Sequence, residues 1–353
     1  MLDAFKTKLN SIEPIKQELL DKAQKHLDFL TKPPGSLGRL EEIAARYCAI
    51  HETQYPAIHK KAIYTFAADH GITEEGVSAF PSSVTPQMVL NFIGGGAAVN
   101  VLARTVNATV KVVDIGVDHD FEKVKGLIHK KVRNGSGNFL KEDAMSENEL
   151  LQALETGFSL ALDAKKNNTD LIGTGDMGIG NTTPSSAIYS ALLNLPVQTT
   201  TGKGTGIDNK ALEHKVKVIQ DALEFHKNEL SDPYSVLQKV GGLEIAGICG
   251  LILGAASVRI PVIVDGFISG AAACVAMQMN SQVKDYLFFS HLSAEQGHQA
   301  VMQAMDISPL LSLDMRLGEG TGAAIAMGLF DAAINIYNEM ATFASAGVDG
   351  KND

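Results

Sequence analysis

The sequence predicts an α/β fold in which a parallel sheet alternates with helices, accompanied by a separate helical lobe. Short runs of β-branched and apolar residues alternate with longer stretches of helical periodicity, as in repeated βα units. The chain has 353 residues, which suits a large α/β enzyme with a small accessory lobe. The first sixty residues contain helical patterns and a turn, and we assign them to the lobe.

The amino-terminal lobe is interrupted by the turn Thr31-Lys-Pro-Pro-Gly-Ser-Leu-Gly38, whose prolines and glycines prevent a continuous helix. The last predicted helix, residues 322–344, is long enough to return to this lobe, and residues 345–353 resemble a frayed tail. We therefore expect a small helical domain from residues 1–60 and about 335–353, and a large catalytic domain from residues 61–334.

Five strands and seven internal helices are predicted for the large domain. The strands are residues 62–68, 109–115, 171–175, 260–265 and 285–290. The helices are residues 85–104, 147–165, 183–193, 209–228, 232–241, 243–258 and 269–279.

Composition and charge argue against some classes of partner and favour a cytosolic location. Thirty basic and forty acidic residues give a net charge of −10, which disfavours nucleic acid or an anionic membrane as a broad surface partner. The three cysteines, Cys48, Cys249 and Cys274, have no metal-binding spacing and indicate a reducing cytosol. The amino terminus lacks the apolar core of a signal peptide, and residues 245–258 contain three glycines, so we expect a cytoplasmic protein without a membrane segment.

All five predicted strands end in polar or glycine-containing sequences. The endings are Asp69-His70-Gly71, Asp114-Ile-Gly116, Gly175-Asp176-Met-Gly178, Asp265-Gly266 and Ser290-His291-Leu-Ser293. Because Asp and Gly commonly start turns, any single ending is explained without a function. In an open parallel sheet, however, ligands bind beyond the carboxyl ends of the strands, and five such endings together predict a site there.

The third strand ending carries a glycine-rich turn, from Gly173 to Pro184, that leads into a helix. Asn181 or Thr182 is a candidate amino-terminal cap for this helix. The exposed backbone N–H groups at the start of the helix favour binding of a phosphate. Gly173, Gly175 and Gly178 match the dinucleotide pattern G-x-G-x-x-G only formally, because no carboxylate follows at the end of the next candidate strand.

Three other motifs give weaker indications of a ligand-binding site than this turn does. Residues 202–206 are not a phosphate-binding P-loop because the lysine is followed by glycine, although Lys203 or Lys215 remains a candidate cation for a phosphate. Residues 262–270 faintly resemble the ribose-binding loop of diphosphate-dependent phosphoribosyltransferases, but the second acid of that loop is replaced by Gly266. Asp69, His70 and His291 are an alternative metal site, yet structural hydrogen bonds are favoured at strand ends, so we predict no metal.

Glu319 lies between two glycines in Arg316-Leu-Gly-Glu-Gly-Thr-Gly-Ala323. Its neighbours provide little steric cover, so it can approach a ligand, and burial would raise its pKa toward that of a useful base. A carboxylate is also favoured at a helix amino terminus for purely structural reasons. Both interpretations remain open on spacing alone.

An ordered set of short strings resembles the nicotinate-nucleotide:dimethylbenzimidazole phosphoribosyltransferase family over residues 30–340. The strings are Lys32-Pro-Pro-Gly-Ser-Leu-Gly38, Ala68-Asp-His-Gly71, Glu75-Gly-Val-Ser78, Gly95-Gly-Ala-Ala-Val-Asn100, Asp114-Ile-Gly-Val117, Gly178-Ile-Gly-Asn-Thr-Thr183, Thr201-Gly-Lys-Gly204, Val264-Asp-Gly-Phe267, Ser290-His-Leu-Ser293 and Leu317-Gly-Glu-Gly-Thr-Gly-Ala323. Each string is modestly specific, whereas the ordered set is highly specific.

The resemblance implies a Rossmann-like sheet, a homodimer and a reaction without a cofactor. It implies transfer of phosphoribose from nicotinate mononucleotide to 5,6-dimethylbenzimidazole, giving α-ribazole 5′-phosphate and nicotinate for the lower ligand of cobalamin. Glu319 falls on the family's catalytic glutamate, which accepts a proton from the benzimidazole. Asp176 stands where many relatives have Glu, as a second candidate acid–base residue.

The resemblance also implies two sets of substrate-binding residues. Those for the donor phosphate and ribose are Gly178, Gly180, Asn181, Thr182, Lys215, Asp265, Gly266, Ser290 and Ser293. Those for the flat base are Phe80, Ser82, Gln87 and Met177. Three alternatives remain: a paralogue that uses adenine or a phenol as acceptor, a non-catalytic nucleotide-binding protein, and a nicotinamide-dependent dehydrogenase.

Overall fold

The computed structural model describes residues 2–204 and 206–349. Within them, six parallel strands form one sheet in the order β3-β2-β1-β4-β5-β6, and β7 and β8 form a separate parallel pair. The strands are β1 (Lys61–Ala68), β2 (Ala108–Gly116), β3 (Leu127–His129), β4 (Leu171–Met177), β5 (Val262–Val264), β6 (Leu287–Phe289), β7 (His291–Leu292) and β8 (Leu311–Ser312).

Helices connect and cover the strands. They are α1 (Leu2–Leu9), α2 (Gln17–Asp28), α3 (Arg39–Ile50), α4 (Val84–Gly94), α5 (Ala98–Thr105), α6 (Glu147–Lys166), α7 (Thr182–Leu193), α8 (Val197–Thr200), α9 (Asn209–His226), α10 (Pro233–Val240), α11 (Leu243–Ser257), α12 (Phe267–Met279), α13 (His298–Ala304), α14 (Thr321–Glu339) and α15 (Phe343–Ala346). The predicted α/β fold is confirmed.

The core is built around β1 and α11. Every residue of β1 is buried, as expected for a central parallel strand that is covered on both faces. Glycines let α11 approach α6 closely: a Cβ at Gly250 would lie 2.0 Å from the carbonyl oxygen of Leu154, and one at Gly157 would lie 1.9 Å from that of Gly247. A side chain at either position would therefore force these helices apart.

Several predicted boundaries were wrong for identifiable reasons. The helix predicted over residues 85–104 is two helices, because the chain turns at Gly95, which has a φ of +77°. β3 was missed since three residues are too few to show periodicity. β5 and β6 are shorter than predicted, and the first part of residues 285–290 completes a 3-10 turn over Ser281–Tyr286.

The two chain ends meet in the helical lobe. Leu30 forms an antiparallel bridge with Thr342, and the Thr31 N–H donates to the carbonyl oxygen of Ala341 at 2.9 Å. The first helix also contacts the large part of the molecule, since the rings of Phe5 and Phe158 are 5.9 Å apart. The domain boundaries stay a prediction, and the end of the predicted tail lies outside the described residues.

The register of the sheet brings the polar strand ends together. Phe66 of β1 lies beside Asp176 of β4, and Val264 of β5 lies beside Phe289 of β6. The segments that follow these strands therefore leave the same edge of the sheet. Among the described residues, none of the helices is long and apolar enough to cross a membrane.

Candidate active site

A cavity of about 340 Å³ lies at the carboxyl edge of the sheet. Its walls come from the segment before α4 and α4 itself, from the turn after β4, and from the loops that precede α12 and α14. The lining residues are Phe80, Val84, Met88, Asp176, Met177, Gly178, Ile179, Asn181, Thr182, Gly204, Gly266, Phe267, Ile268, His291, Ser293, Glu295, Arg316, Leu317, Gly318 and Glu319. The walls thus combine an apolar surface with a small number of charged groups, as ligand pockets commonly do.

Glu319 lies in a strained turn immediately before α14. Gly318, Glu319 and Gly320 all have left-handed φ values, of +80°, +65° and +97°. For a glutamate this conformation costs on the order of 1–3 kcal/mol, so the surrounding structure must hold it in place. Thr65 contributes by donating its hydroxyl hydrogen to the Glu319 carbonyl oxygen at 3.0 Å. Gly175 leaves the necessary space, because a Cβ there would lie 2.4 Å from that oxygen.

Asp265, which follows β5, holds the start of α14 from the other side. Its Oδ2 accepts a hydrogen bond from the Gly320 N–H at 3.1 Å, and its Oδ1 accepts one from the Ala323 N–H at 3.0 Å. The side chain is 1% exposed, so both bonds are shielded from water. Asp265 therefore fixes the backbone on which Glu319 is carried.

The environment of Glu319 suits a base. Burial, followed by the charge of Asp265, raises the pKa of the Glu319 carboxyl to about 7. The residue is 6% exposed, and its Oε2 has no hydrogen-bond partner within the described chain. A carboxylate with a pKa near neutrality can accept a proton from a ligand and then release it to water.

Asp176, at the end of β4, is a second buried carboxyl in the same cavity. Its Oδ2 accepts a hydrogen bond from the Asn181 side-chain amide at 3.0 Å, whereas its Oδ1 has no partner among the described residues. Burial, followed by the charges of Asp265, Glu244 and Glu319, raises the pKa of Asp176 well above its usual range. Burial thus raises the pKa of both carboxyl groups that face the cavity.

The turn between β4 and α7 supplies an anion-binding environment. Asn181 and Thr182 line the cavity at the amino end of α7, where helix N–H groups and the helix dipole favour negative charge. Behind them, the Lys215 amine donates to the Thr182 hydroxyl at 2.7 Å and to the carbonyl oxygen of Gly202 at 3.3 Å. Burial lowers the pKa of Lys215 to about 8, so the amine is mostly charged at neutral pH.

The structure brings most of the sequence-predicted residues to this cavity. Those that line it are Phe80, Asp176, Met177, Gly178, Asn181, Thr182, Gly266, Ser293 and Glu319. Three others support the wall from behind: Asp265 and Lys215 as described above, and Ser290, whose Oγ donates to the carbonyl oxygen of Asp265 at 2.5 Å. From behind the wall, these three side chains would act on a ligand indirectly, through the residues that line the cavity.

The remaining predicted residues lie elsewhere. Gly180, with a φ of +90°, packs so closely that a Cβ would lie 2.6 Å from Cγ2 of Thr73. Ser82 lines a neighbouring cavity. Gln87 is exposed on α4, whereas Val84 and Met88 of the same helix line the active-site cavity. A helix turns about 100° per residue, so adjacent positions point in different directions.

Sequence reasoning did not assign a role to Arg316 or Glu295. The Arg316 guanidinium donates to the carbonyl oxygen of Gly204 at 3.3 Å, and a Glu295 carboxylate oxygen accepts the Gly204 N–H at 2.9 Å. Together they hold the loop that borders the cavity. A role for Arg316 could have been predicted from the sequence, since it stands three residues before Glu319 in the same glycine-rich motif. Glu295 lies in no motif, so the sequence offered no signal for it.

The alternative metal ligands do not come together. His70 Nε2 is hydrogen-bonded to Glu244 Oε1 at 2.8 Å, and His291 Nδ1 lies 3.0 Å from the Ser290 hydroxyl. Among the described residues, no group of three His, Cys, Asp or Glu side chains is arranged to hold a metal ion.

Comparisons with known proteins identify relatives along the whole chain. A family model described as phosphoribosyltransferase matches residues 12–348. The nicotinate-nucleotide–dimethylbenzimidazole phosphoribosyltransferase of Chlorobaculum tepidum is 56% identical over 353 residues, covering 100% of both chains. The protein of the same name from Geobacter sulfurreducens is 56% identical over 340 residues, which cover 96% of this chain and 97% of that protein.

Solved structures are similar over nearly the whole chain. A crystal structure described as CobT from Thermus thermophilus superimposes with a TM-score of 0.90 at 41% identity. The superposition covers 95% of this chain and 100% of the Thermus chain.

Proposed function

The chain belongs to the nicotinate-nucleotide–dimethylbenzimidazole phosphoribosyltransferase family, and we propose on that premise that Glu319 is the base of its reaction. The reaction moves phosphoribose from nicotinate mononucleotide to 5,6-dimethylbenzimidazole and yields α-ribazole 5′-phosphate and nicotinate, in the synthesis of the lower ligand of cobalamin. The observation that carries the role of Glu319 is a buried carboxyl whose pKa is about 7 and whose Oε2 is unpartnered within the described chain.

The proposed chemistry needs one proton acceptor. Glu319 takes the N–H proton of the benzimidazole, and the other ring nitrogen attacks C1′ of the ribose. The bond between C1′ and the pyridinium nitrogen breaks, and its electron pair leaves with nicotinate. Since the donor ring is already cationic, it departs without being protonated. The protein therefore supplies mainly position, charge neutralisation and the base.

The donor phosphate is proposed to bind at the amino end of α7. Asn181 and Thr182 face the cavity there, and the buried ammonium of Lys215 reaches Thr182 from behind. A phosphate dianion would be stabilised by the helix amino terminus and by this cation.

The flat acceptor is proposed to bind against the apolar wall. Phe80, Val84, Met88, Met177 and Leu317 line this part of the cavity. Methionine and aromatic side chains suit a planar aromatic ring, because they present polarisable and apolar surfaces. An acceptor placed on this wall lies in the same cavity as Glu319.

Asp265 and Ser290 are assigned supporting roles instead of direct contact with the donor. Both carboxylate oxygens of Asp265 already accept backbone hydrogen bonds, and the Ser290 hydroxyl donates to the backbone of Asp265. We also propose a cytoplasmic homodimer. The three cysteines are free and buried, which fits a reducing compartment, and light scattering tests the dimer.

A panel of acceptors tests the proposed function. The protein is incubated with nicotinate mononucleotide and, separately, 5,6-dimethylbenzimidazole, benzimidazole, adenine or a phenol, and nicotinate release is measured. We expect fastest turnover with dimethylbenzimidazole. Equal turnover of all acceptors would overturn the acceptor assignment, and no release with any acceptor would indicate a nucleotide-binding protein.

A further inference from the structure

His291 lines the active-site cavity with a ring nitrogen that the proposed chemistry does not use. The residue follows β6 and is 1% exposed, and its Nε2 has no hydrogen-bond partner among the residues that the structure describes. Nearly all buried polar atoms in proteins are hydrogen-bonded, because an unpaired one lowers stability. An unpaired nitrogen in the wall of a ligand cavity therefore indicates an atom that a ligand completes.

The hydrogen bonds of Ser290 determine which nitrogen of the His291 ring carries the hydrogen. Ser290 Oγ lies 2.5 Å from the carbonyl oxygen of Asp265, and a carbonyl oxygen can only accept, so the single hydroxyl hydrogen is donated there. His291 Nδ1 lies 3.0 Å from the same Oγ, which has only its lone pairs left for this contact. Nδ1 therefore carries a hydrogen and donates it. In the neutral imidazole, Nε2 is then a hydrogen-bond acceptor.

Two glycines make room for the imidazole ring at the starts of α12 and α14. A Cβ at Gly322, in the first turn of α14, would lie 2.0 Å from His291 Nδ1 and 2.5 Å from its Cε1. A Cβ at Gly266, just before α12, would lie 3.3 Å from Cε1 and 3.5 Å from Nε2. The ring thus packs closely against the backbone at both helix starts. Gly266, the glycine beside Nε2, itself lines the cavity.

Hydrogen bonds connect His291 to the turn that carries the proposed base. His291 donates to Ser290, and Ser290 donates to the backbone of Asp265. The Asp265 carboxylate in turn accepts the N–H of Gly320 at 3.1 Å. Asp265 supplies no hydrogen to Nε2, because both of its carboxylate oxygens accept backbone N–H groups. The hydrogen bond to Nε2 must therefore come from a ligand.

We propose that His291 Nε2 accepts a hydrogen bond from a ribose hydroxyl of the donor nucleotide. Nicotinate mononucleotide offers no other hydrogen, because its phosphate and carboxylate are ionised near neutral pH and its pyridinium nitrogen carries no hydrogen. The N–H of the benzimidazole is already assigned to Glu319. The identity of the ligand rests on the proposed function, whereas the position of the ring hydrogen does not.

The segment that contains His291 is joined to the proposed phosphate site. Glu295, four residues further along the chain, accepts the N–H of Gly204 at 2.9 Å. The carbonyl oxygen of Gly202, in the same loop, accepts a hydrogen bond from the Lys215 amine at 3.3 Å. His291 and the amino end of α7 lie on the wall of one cavity of about 340 Å³. A single nucleotide can therefore place its phosphate at α7 and its ribose at His291.

A set of binding measurements tests this contact. Calorimetric titration without an acceptor gives the Kd of wild type and His291→Phe for nicotinate mononucleotide and for its 2′-deoxy and 3′-deoxy analogues. Phenylalanine keeps a flat ring but has no lone pair to accept the hydrogen bond. We expect His291→Phe to bind nicotinate mononucleotide about 10-fold more weakly than wild type does. For the analogue that lacks the contacted hydroxyl, wild type and variant should bind equally, whereas the other analogue should lose the full factor.

Two results would overturn the proposal. One is an unchanged Kd for nicotinate mononucleotide in a folded His291→Phe. The other is an equal loss of affinity for the nucleotide and for both deoxy analogues, which is what a purely structural role of the ring would produce.

His226→Phe is the matched control. His226 is also 1% exposed, but its Nε2 already lies 3.0 Å from the carbonyl oxygen of Phe139, and the residue is outside the cavity wall. We expect this variant to lose stability and to keep the wild-type Kd for all three nucleotides.

Nitrogen NMR on protein with isotope-labelled histidine tests the position of the hydrogen separately. At pH 7 we expect free wild type to carry the His291 hydrogen on Nδ1 alone, and we expect the Nε2 resonance to move when nicotinate mononucleotide binds. The analogue that lacks the contacted hydroxyl should leave this resonance in place. A hydrogen on Nε2 in the free protein, or a resonance that the nucleotide does not move, contradicts the proposal. If His291→Phe fails to fold, His291→Gln identifies the signal, and these wild-type spectra decide.

Neither experiment depends on turnover, so the two hypotheses fail in different ways. A wild-type protein that binds nicotinate mononucleotide but releases no nicotinate with any acceptor contradicts the proposed function and leaves the contact with His291 intact. A wild-type protein that turns over, together with a His291→Phe variant that binds the nucleotide unchanged, contradicts only the contact. A wild-type protein that does not bind the nucleotide contradicts both.

Discussion

Asp265 accepts a hydrogen bond from the backbone N–H of Gly320, the residue that follows Glu319, at 3.1 Å. The same carboxylate accepts the Ala323 N–H, so one buried side chain fixes the first turn of α14. Its negative charge also raises the pKa of Glu319. Asp265 therefore holds the proposed base in position and adds to the effect of burial, which is the main cause of its raised pKa.

Glu319→Gln is expected to lower kcat by about 10²–10⁴-fold, the contribution typical of a general base. Glutamine keeps the shape of the side chain but cannot accept the proton, so the Kd for nicotinate mononucleotide should change little. Steady-state kinetics and calorimetric titration measure the two quantities. Glu339→Gln, an exposed change at the other end of α14, is the control. A variant that turns over at the wild-type rate would show that Glu319 is not the base.

The raised pKa of Glu319 also predicts a stability difference that depends on pH. Because its pKa is about 7 in the folded protein, against an ordinary value of 4.5, the folded state binds more protons between these pH values. Stability contributed by this group is present below pH 4.5 and is lost as pH rises through 7. Glu319→Gln should therefore be more stable than wild type at pH 8, by about 2–3 kcal/mol.

Urea unfolding at pH 4.5 and pH 8 tests this difference. The gain in free energy of unfolding should appear at pH 8 and be small at pH 4.5. An equal gain at both pH values would mean that the substitution acts through packing and not through the buried charge.

Asp265→Asn is expected to reduce both activity and stability. Asparagine retains one carbonyl oxygen but turns its NH₂ group toward one of the two backbone donors, and an unpaired buried N–H costs about 1–3 kcal/mol. Loss of the negative charge should also lower the pKa of Glu319, so the low-pH limb of the kcat profile should move to lower pH. Kinetics as a function of pH and thermal unfolding measure these effects.

Asp170→Asn provides the comparison for Asp265→Asn. Asp170 Oδ2 also accepts two backbone N–H groups, from His59 at 2.8 Å and Lys60 at 2.9 Å, but lies at the amino end of β4. Asp170→Asn should therefore lower the stability of the protein without moving the pH profile of kcat. If both variants moved the profile equally, the specific coupling of Asp265 to Glu319 would be contradicted.

Much of the fold was predictable because the strands show strong local signals. β1 and β4 are buried along their whole length, β1 is mostly apolar, and the polar residues at and after their ends identify the edge at which the cavity lies. The flanking glycines made Glu319 a candidate and the family resemblance implied its role as base, although its left-handed φ is visible only in the structure. The three-residue β3 carries too little sequence pattern to be recognised.

The undetected parts of the site depend on contacts between distant segments. The pairing of His70 with Glu244 joins residues separated by 174 positions. Glu295 reaches Gly204 across 91 positions, without any spacing that a motif would capture. Sequence patterns report local geometry, whereas these contacts arise only when the helices pack on the sheet.

Lys215→Met is expected to weaken binding of nicotinate mononucleotide by about 10-fold or more at pH 7, since a buried cation near the proposed phosphate site is lost. Nicotinate riboside, which has no phosphate, should bind equally to wild type and variant. In the wild type, affinity should also fall above pH 8, where the amine loses its proton. Lys217→Met is the control, because Lys217 is exposed on the same helix and pairs with Asp221. Unchanged binding in Lys215→Met would exclude Lys215 from the phosphate site.

Two adjacent residues of α4, Gln87 and Met88, distinguish two assignments of the acceptor pocket, one from the sequence and one from the structure. Met88 lines the cavity. Gln87, which the family resemblance assigned to the pocket for the aromatic acceptor, is exposed instead. Met88→Ala removes apolar surface from the proposed acceptor wall, so the KM for dimethylbenzimidazole should rise about 5- to 50-fold, equivalent to roughly 1–2.5 kcal/mol of lost contact. Gln87→Ala should change that KM less than about twofold, because its side chain points to solvent. Initial rates at saturating nicotinate mononucleotide measure both variants. The opposite result, with a large effect only in Gln87→Ala, would mean that the acceptor binds along a different face of α4 when the substrate is present.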